Sequence, residues 1–165
     1  MDISNPINGT GKACPVTAIV FASPRVGDEG LKRVYSTLDD LHILRITNIR
    51  DKVPDLLRTF TWYIDVGKEL KIDSKKSPCL KGNAFSHDIE LYLHTVAGTQ
   101  GINRGLKLVV PRCVSLLNKD TDALKDEYNA PVEWWCEKNK SMVQRNDGSW
   151  ELDDHGYAPI PPSPR

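Results

Sequence analysis

No stretch of the 165 residues approaches the roughly 20 consecutive apolar positions of a membrane-spanning helix. No run of five basic residues occurs either, and 22 Lys and Arg balance 22 Asp and Glu, so net charge draws the chain to neither nucleic acid nor an anionic surface. Cysteine is sparse. Cys14, Cys79, Cys113 and Cys136 form no CxxC pair, which argues against a zinc site and for reduced thiols in a cytoplasmic protein. The first residues lack the basic flank and apolar centre of a secretory signal. The glycosylation patterns at Asn8-Gly9-Thr10 and Asn139-Lys140-Ser141 are therefore read as chance. Internal repeats are absent as well. These exclusions leave a single domain, long enough to bury a sizeable core.

Residues 1–13 are polar and turn-rich and predict an irregular segment. Val16-Thr17-Ala18-Ile19-Val20-Phe21-Ala22 is a continuous apolar run, the pattern of a strand buried on both faces of a parallel sheet. Residues 28–38 predict a short helix capped by Asp28, with Leu31, Val34, Tyr35 and Leu38 along one face. Residues 41–48 alternate and are rich in apolar and β-branched types, so a second central strand is expected. Strand, helix and strand in such close succession form a right-handed crossover unit. Residues 63–73 predict two short strands about Gly67-Lys68, and a polar loop over 74–86 leads to an apolar helix that stops at Gly98. Ile89, Leu93 and Val96, at spacings of four and three, predict its buried face. Further helices are expected over 109–117 and 121–128. Asn146-Asp147-Gly148 between two apolar runs predicts a hairpin over 142–152. Pro159, Pro161, Pro162 and Pro164 predict a disordered tail over 158–165.

Two side chains stand where chemistry gathers in an open α/β sheet. Asp51 follows the second strand, at the carboxyl end where ligand and catalytic groups collect. His87 stands 36 positions later, where the loop gives way to the helix. Asp followed by His is the chain order of the last two members of an α/β-hydrolase triad, in which the imidazole moves a proton and the carboxylate holds its tautomer. The blander readings are a turn-forming aspartate and a surface histidine at a helix start. His94, two helical turns beyond His87, reads as a structural hydrogen-bonding residue; His42 begins a strand and His155 lies in a polar tail. The nucleophile is missing from the pattern, since no GxSxG pentapeptide occurs among the 165 residues. Neither Ser36 nor Ser86 sits on a glycine-flanked turn. Ser23 follows a strand, but Pro24 removes the backbone N–H that would form half of an oxyanion hole.

Ala22-Ser23-Pro24-Arg25-Val26-Gly27-Asp28 resembles a turn of the class 3 (fungal-type) lipases. The segment 85–101, with its His87-Asp88-Ile89-Glu90-Leu91-Tyr92-Leu93-His94 core, resembles the plant class II phospholipase A1 branch of that family. So do Val114-Ser115-Leu116-Leu117-Asn118-Lys119, Leu124-Lys125-Asp126-Glu127-Tyr128, Trp135-Cys136-Glu137-Lys138-Asn139-Lys140 and Asp147-Gly148-Ser149-Trp150. The resemblance runs from about Cys14 to about Leu152. It implies the C-terminal part of an α/β-hydrolase fold over 14–157, with a truncated central sheet, flanking helices and a C-terminal hairpin. It assigns Asp51, within Asn48-Ile49-Arg50-Asp51-Lys52-Val53-Pro54, and His87 as the triad acid and base. Arg50 departs from the proline common at that place in the family. The resemblance also implies a phospholipid or acyl-glycerol substrate cleaved at its sn-1 ester, with no metal, no organic cofactor and no nucleic-acid partner. Serine elbow, oxyanion loop and lid would lie upstream of Met1, so a chain inactive alone and self-associating through an open sheet edge is expected. Two alternatives remain open: a non-catalytic pseudo-lipase fragment that binds a partner, and a half-site completed by a separate N-terminal half.

Overall fold

A computed structural model of the chain describes residues 14–57, 62–99, 103–136 and 138–153. The segments expected to be irregular or disordered, 1–13 and 158–165, lie outside the described residues. Contacts divide the chain into two compact units between Lys71 and Ile72.

The first unit is built on the expected crossover. Strand β1 (Val16–Phe21) runs parallel to β2 (Leu41–Asn48), from Val16 opposite Leu41 to Phe21 opposite Ile46. Helix α1 (Glu29–Ser36) joins them, and Asp28 caps it by accepting from the Leu31 N–H at 3.0 Å. Strand β3 (Lys68–Ile72) continues the sheet in the order β1-β2-β3. It enters through Gly67 at φ +86°, where a Cβ would come within 2.6 Å of the Ile43 carbonyl oxygen; only glycine fits there. Two expectations fail in this unit. The strand expected before Gly67 reduces to a single bridge, with the Ile64 N–H donating to the Gly27 carbonyl at 2.7 Å. The apolar run of β1 is not buried on both faces: Val16 and Ile19 are 53% and 56% exposed. Nor does α1 bury any residue, and Leu31 and Val34 of its apolar face are open. The cause is common to both: among the described residues β1 has β2 as its one sheet neighbour.

The second unit packs helix α2 (Ile89–Gly98) into a core of Cys79, Leu80, Leu91, Leu117, Ala123 and Leu124. The helices expected over 109–117 and 121–128 are instead two 3-10 turns, Val114–Asn118 and Asp126–Tyr128. Pro111 keeps its predecessor from helical geometry. Residues 123–125 are drawn into extended pairing with 79–81: the Lys81 N–H donates to the Ala123 carbonyl at 2.8 Å, and the Lys125 N–H to the Cys79 carbonyl at 3.0 Å. Asn118, buried, ties the loop together. Its Oδ1 accepts from the backbone N–H groups of Ala123 (3.0 Å) and Leu124 (2.7 Å), while its Nδ2 donates to the Ala130 carbonyl at 2.8 Å. Trp134 is fully buried beside it and donates from Nε1 to the Ser115 carbonyl at 2.8 Å. The expected hairpin is present as β4 (Met142–Gln144) and β5 (Trp150–Leu152), antiparallel, with Gly148 at φ +84° in the turn.

Replacing Asn118 by Ala leaves the Ala123 and Leu124 donors without their acceptor in a dry core. We expect a loss of about 2–5 kcal/mol, read as a lowered urea midpoint. Asn118→Asp, which keeps the acceptor, should lose less.

Candidate active site

Beyond β2 the chain turns sharply. The Asp51 N–H donates back to the Asn48 carbonyl at 2.9 Å, and Asp51 Oδ1 accepts from the Val53 N–H at 2.9 Å. This side-chain turn leads straight into the 3-10 turn Val53–Asp55, whose Pro54 lacks a backbone donor to satisfy. The result is a carboxylate only 6% exposed at the carboxyl end of a parallel strand. A cavity of about 390 Å³ opens beside it, lined by Asp51 together with Arg25, Arg45, Thr47, Asp65 and Glu69 among others. Asp65 bridges two guanidinium groups there, taking Arg25 Nη2 at 2.9 Å and Arg45 Nη1 at 2.8 Å. The Thr47 hydroxyl donates to Glu69 Oε1 at 2.8 Å. Arg45 Nε is buried with no hydrogen-bond partner. Sequence reasoning missed this ion network. A lone arginine amid the apolar residues of the second strand was the available signal.

His87 is exposed, two residues ahead of α2, with its ring edge-on to Phe85 at 6.4 Å between centroids. Asp88 is the helix cap, accepting from the Leu91 N–H at 2.9 Å, and burial pushes its carboxyl above the usual range. Glu90 in the first turn pairs with Arg112. The buried face of α2 differs from the expected one. Leu91, Tyr92, His94, Thr95 and Gly98 are buried, whereas Ile89 is half-exposed, because the core lies on the side of Leu91. His94 is the structural residue expected. It is fully enclosed, with Nε2 2.8 Å from the Ser77 hydroxyl and 3.6 Å from Cys79 Sγ, and its Nδ1 has no partner. His42 is exposed on β2, and His155 lies outside the described residues. Of the serines weighed as nucleophiles, Ser23 turns its hydroxyl to the Pro24 carbonyl (3.1 Å) and Ser36 to the Arg33 carbonyl (2.7 Å).

Asp51 thus belongs to the first unit and His87 to the second. Chemically, the first offers a buried carboxylate with one oxygen engaged by backbone; the second offers a solvent-facing imidazole at a capped helix entrance. Among the described residues no group of three or more His, Cys, Asp or Glu gathers to hold a metal ion, and no helix is long and apolar enough to cross a membrane.

Comparison with known proteins adds the decisive observation. The family model for lipase (class 3) matches residues 4–60, which include β1, α1, β2 and Asp51. Phospholipase A1-II 1 of Oryza sativa subsp. indica is 50% identical over 151 residues, covering 90% of this chain and 38% of the relative. Over residues 4–60, then, the chain is similar to the class 3 lipases. Phospholipase A1-II 3 of Oryza sativa subsp. japonica (48% identical, 93% of this chain, 38% of the relative) and phospholipase A1-IIgamma of Arabidopsis thaliana (48%, 92% and 37%) tell the same story. The α/β-hydrolase class expected from the motifs therefore holds, with the parallel β1–β2 pair as its visible part. The chain spans less than two-fifths of the length of the curated relatives it matches. His87 lies beyond the stretch that the family model matches and rests on the longer likeness to the plant relatives.

Burial holds His94 neutral, with its folded pKa below the ordinary 6.5. The unfolded chain therefore takes up the proton first, and stability present above pH 6.5 drains as pH falls below it. We expect urea midpoints to decline between pH 7 and pH 5, and His94→Gln, which cannot titrate, to flatten that decline.

Proposed function

We propose that this chain carries the acid and base of a serine-hydrolase site that cleaves the sn-1 acyl ester of glycerophospholipids. The observation that carries the reading is Asp51: a buried carboxylate beside a polar cavity at the carboxyl end of a parallel strand, in a chain half-identical to proteins named phospholipase A1. In this reading a serine hydroxyl attacks the acyl carbonyl and His87 takes its proton. The tetrahedral intermediate then collapses, and the imidazolium returns the proton to the departing glycerol oxygen. Asp51 orients the ring and stabilises its charged form. Water repeats the sequence to release the fatty acid. The serine comes from outside these 165 residues, in which no GxSxG turn occurs. Substrate binding at a phospholipid or acyl-glycerol surface and a cytoplasmic location belong to the same proposal. Four scattered cysteines with no CxxC pair support that location.

A second reading is a non-catalytic interaction module. The exposed apolar residues of β1 and α1 favour it.

The 165-residue chain alone should hydrolyse neither a p-nitrophenyl ester nor phosphatidylcholine, because loss of a triad serine costs about a millionfold in rate. Joined to a serine-bearing remainder, it should turn over phosphatidylcholine, with His87→Ala and Asp51→Asn each losing about ten-thousandfold or more in kcat. Turnover by the chain alone that His87→Ala abolishes would overturn the assignment of the nucleophile. Turnover by the joined protein that survives His87→Ala would favour another base.

A further inference from the structure

We propose that the cavity of the first unit is an oxyanion site, in which Arg45 offers one edge of its guanidinium to a single phosphate-ester group. Strand alternation sets Arg45 and Thr47 on the same face of β2, and both line that cavity. The Arg45 side chain is only 12% exposed, and a guanidinium stays charged at any ordinary pH. An enclosed charge is costly unless its hydrogen bonds are met. Arg45 meets one carboxylate, with Nη1 2.8 Å from Asp65 Oδ1. Its Nε is buried with no hydrogen-bond partner among the described residues. Arg25 shows the contrast: its Nε and Nη2 both reach Asp65 Oδ2, at 3.2 and 2.9 Å. Asp65 thus stands on the bidentate edge of Arg25 but on the Nη1 side of Arg45. The Nε–Nη2 edge of Arg45 is the one that takes a carboxylate or phosphate in two parallel bonds.

Local charge selects an anion for that edge. Asp65 is one carboxylate between two guanidinium groups, so the triplet keeps one positive charge. Glu69 does not cancel it, because its oxygens are taken by the Thr47 hydroxyl at 2.8 Å and the Lys71 ammonium at 3.5 Å. Asp51 and Asp55 also line the cavity. These two further carboxylates disfavour a polyphosphate, whose added charge would face them. The volume, about 390 Å³, suits a small molecule. Every lining residue belongs to the first unit, so the site asks nothing of the second. Free phosphate and the phosphodiester of a lipid head group share the required chemistry. The site goes beyond the functional reading, since binding here needs neither a serine nor an ester cleaved.

The test titrates the isotope-labelled full chain with inorganic phosphate, with glycerophosphocholine and, at matched ionic strength, with chloride. The Arg45 Nε–H resonance is followed by NMR. Saturable movement at roughly millimolar phosphate or glycerophosphocholine, and none with chloride, is expected. Tenfold tighter binding of one over the other names the source, free phosphate or lipid head group; equal binding leaves the site open to both. Arg45→Gln should weaken binding tenfold or more, and Arg45→Lys, which keeps the charge but loses the fork, at least fivefold. Arg145→Gln, in an exposed ion pair with Glu151 of the second unit, should leave binding unchanged. No movement with either phosphate compound overturns the proposal. So does equal movement with chloride, or binding that Arg45→Gln leaves intact. If Arg45→Gln does not fold by circular dichroism, the resonance of the unsubstituted chain still decides. Hydrolysis is read separately: phosphate binding by a chain inert toward esters leaves the site standing whatever becomes of the functional reading.

Discussion

At several points where this chain changes direction, a short polar side chain accepts from a backbone N–H that regular structure leaves over. Asp28 accepts from Leu31, Asp51 from Val53, Asp73 from Lys75 and Asp88 from Leu91, all within about 3 Å. Asn118 does the same over a longer reach, serving Ala123 and Leu124. An unpaired buried donor costs as much as a lost hydrogen bond, so these acceptors decide where helices begin and where loops may pass through the interior. Asp51 combines two positions: one oxygen shapes the turn, and the group lines the cavity.

Charge is handled differently in the two units. The cavity beside Asp51 gathers opposite charges and largely cancels them internally, with Asp65 between two guanidinium groups and Glu69 held by Thr47 and Lys71. The second unit instead encloses a single imidazole, His94, with a hydroxyl and a thiol as its company. Desolvation with no compensating charge keeps that ring neutral, as suits a packing role. His87, seven positions earlier and ahead of the same helix, is exposed to solvent. A buried histidine and an exposed one thus lie seven positions apart.

Much of the architecture was legible from residues alone, and for local reasons. The strand–helix–strand crossover, the Asp28 cap, the stop at Gly98 and the hairpin about Gly148 depend on neighbours within a few positions. Asp51 and His87 stood out for the same kind of reason, one after a strand and one before a helix. The failures share a different cause. The apolar residues of 109–128 carry no helix because residues 79–81, some forty positions away, claim the backbone of 123–125 as a pairing partner. The inward face of α2 was misassigned by periodicity because both sides of that helix are apolar and only the position of Leu80, Leu117 and Leu124 chooses between them.

The amino-acid order by itself determined the local currency of this protein: caps, turns, strand composition, the order of Asp51 before His87 and the family that the motifs resemble. Tertiary structure decided which apolar surfaces are covered and which polar groups are enclosed. It left β1 open on one side, buried His94 while exposing His87, and set Asp65 between Arg25 and Arg45. The reason is physical. Capping and turn formation are settled by groups a few bonds apart, whereas burial depends on what arrives from distant parts of the chain, and no short window of sequence contains that information.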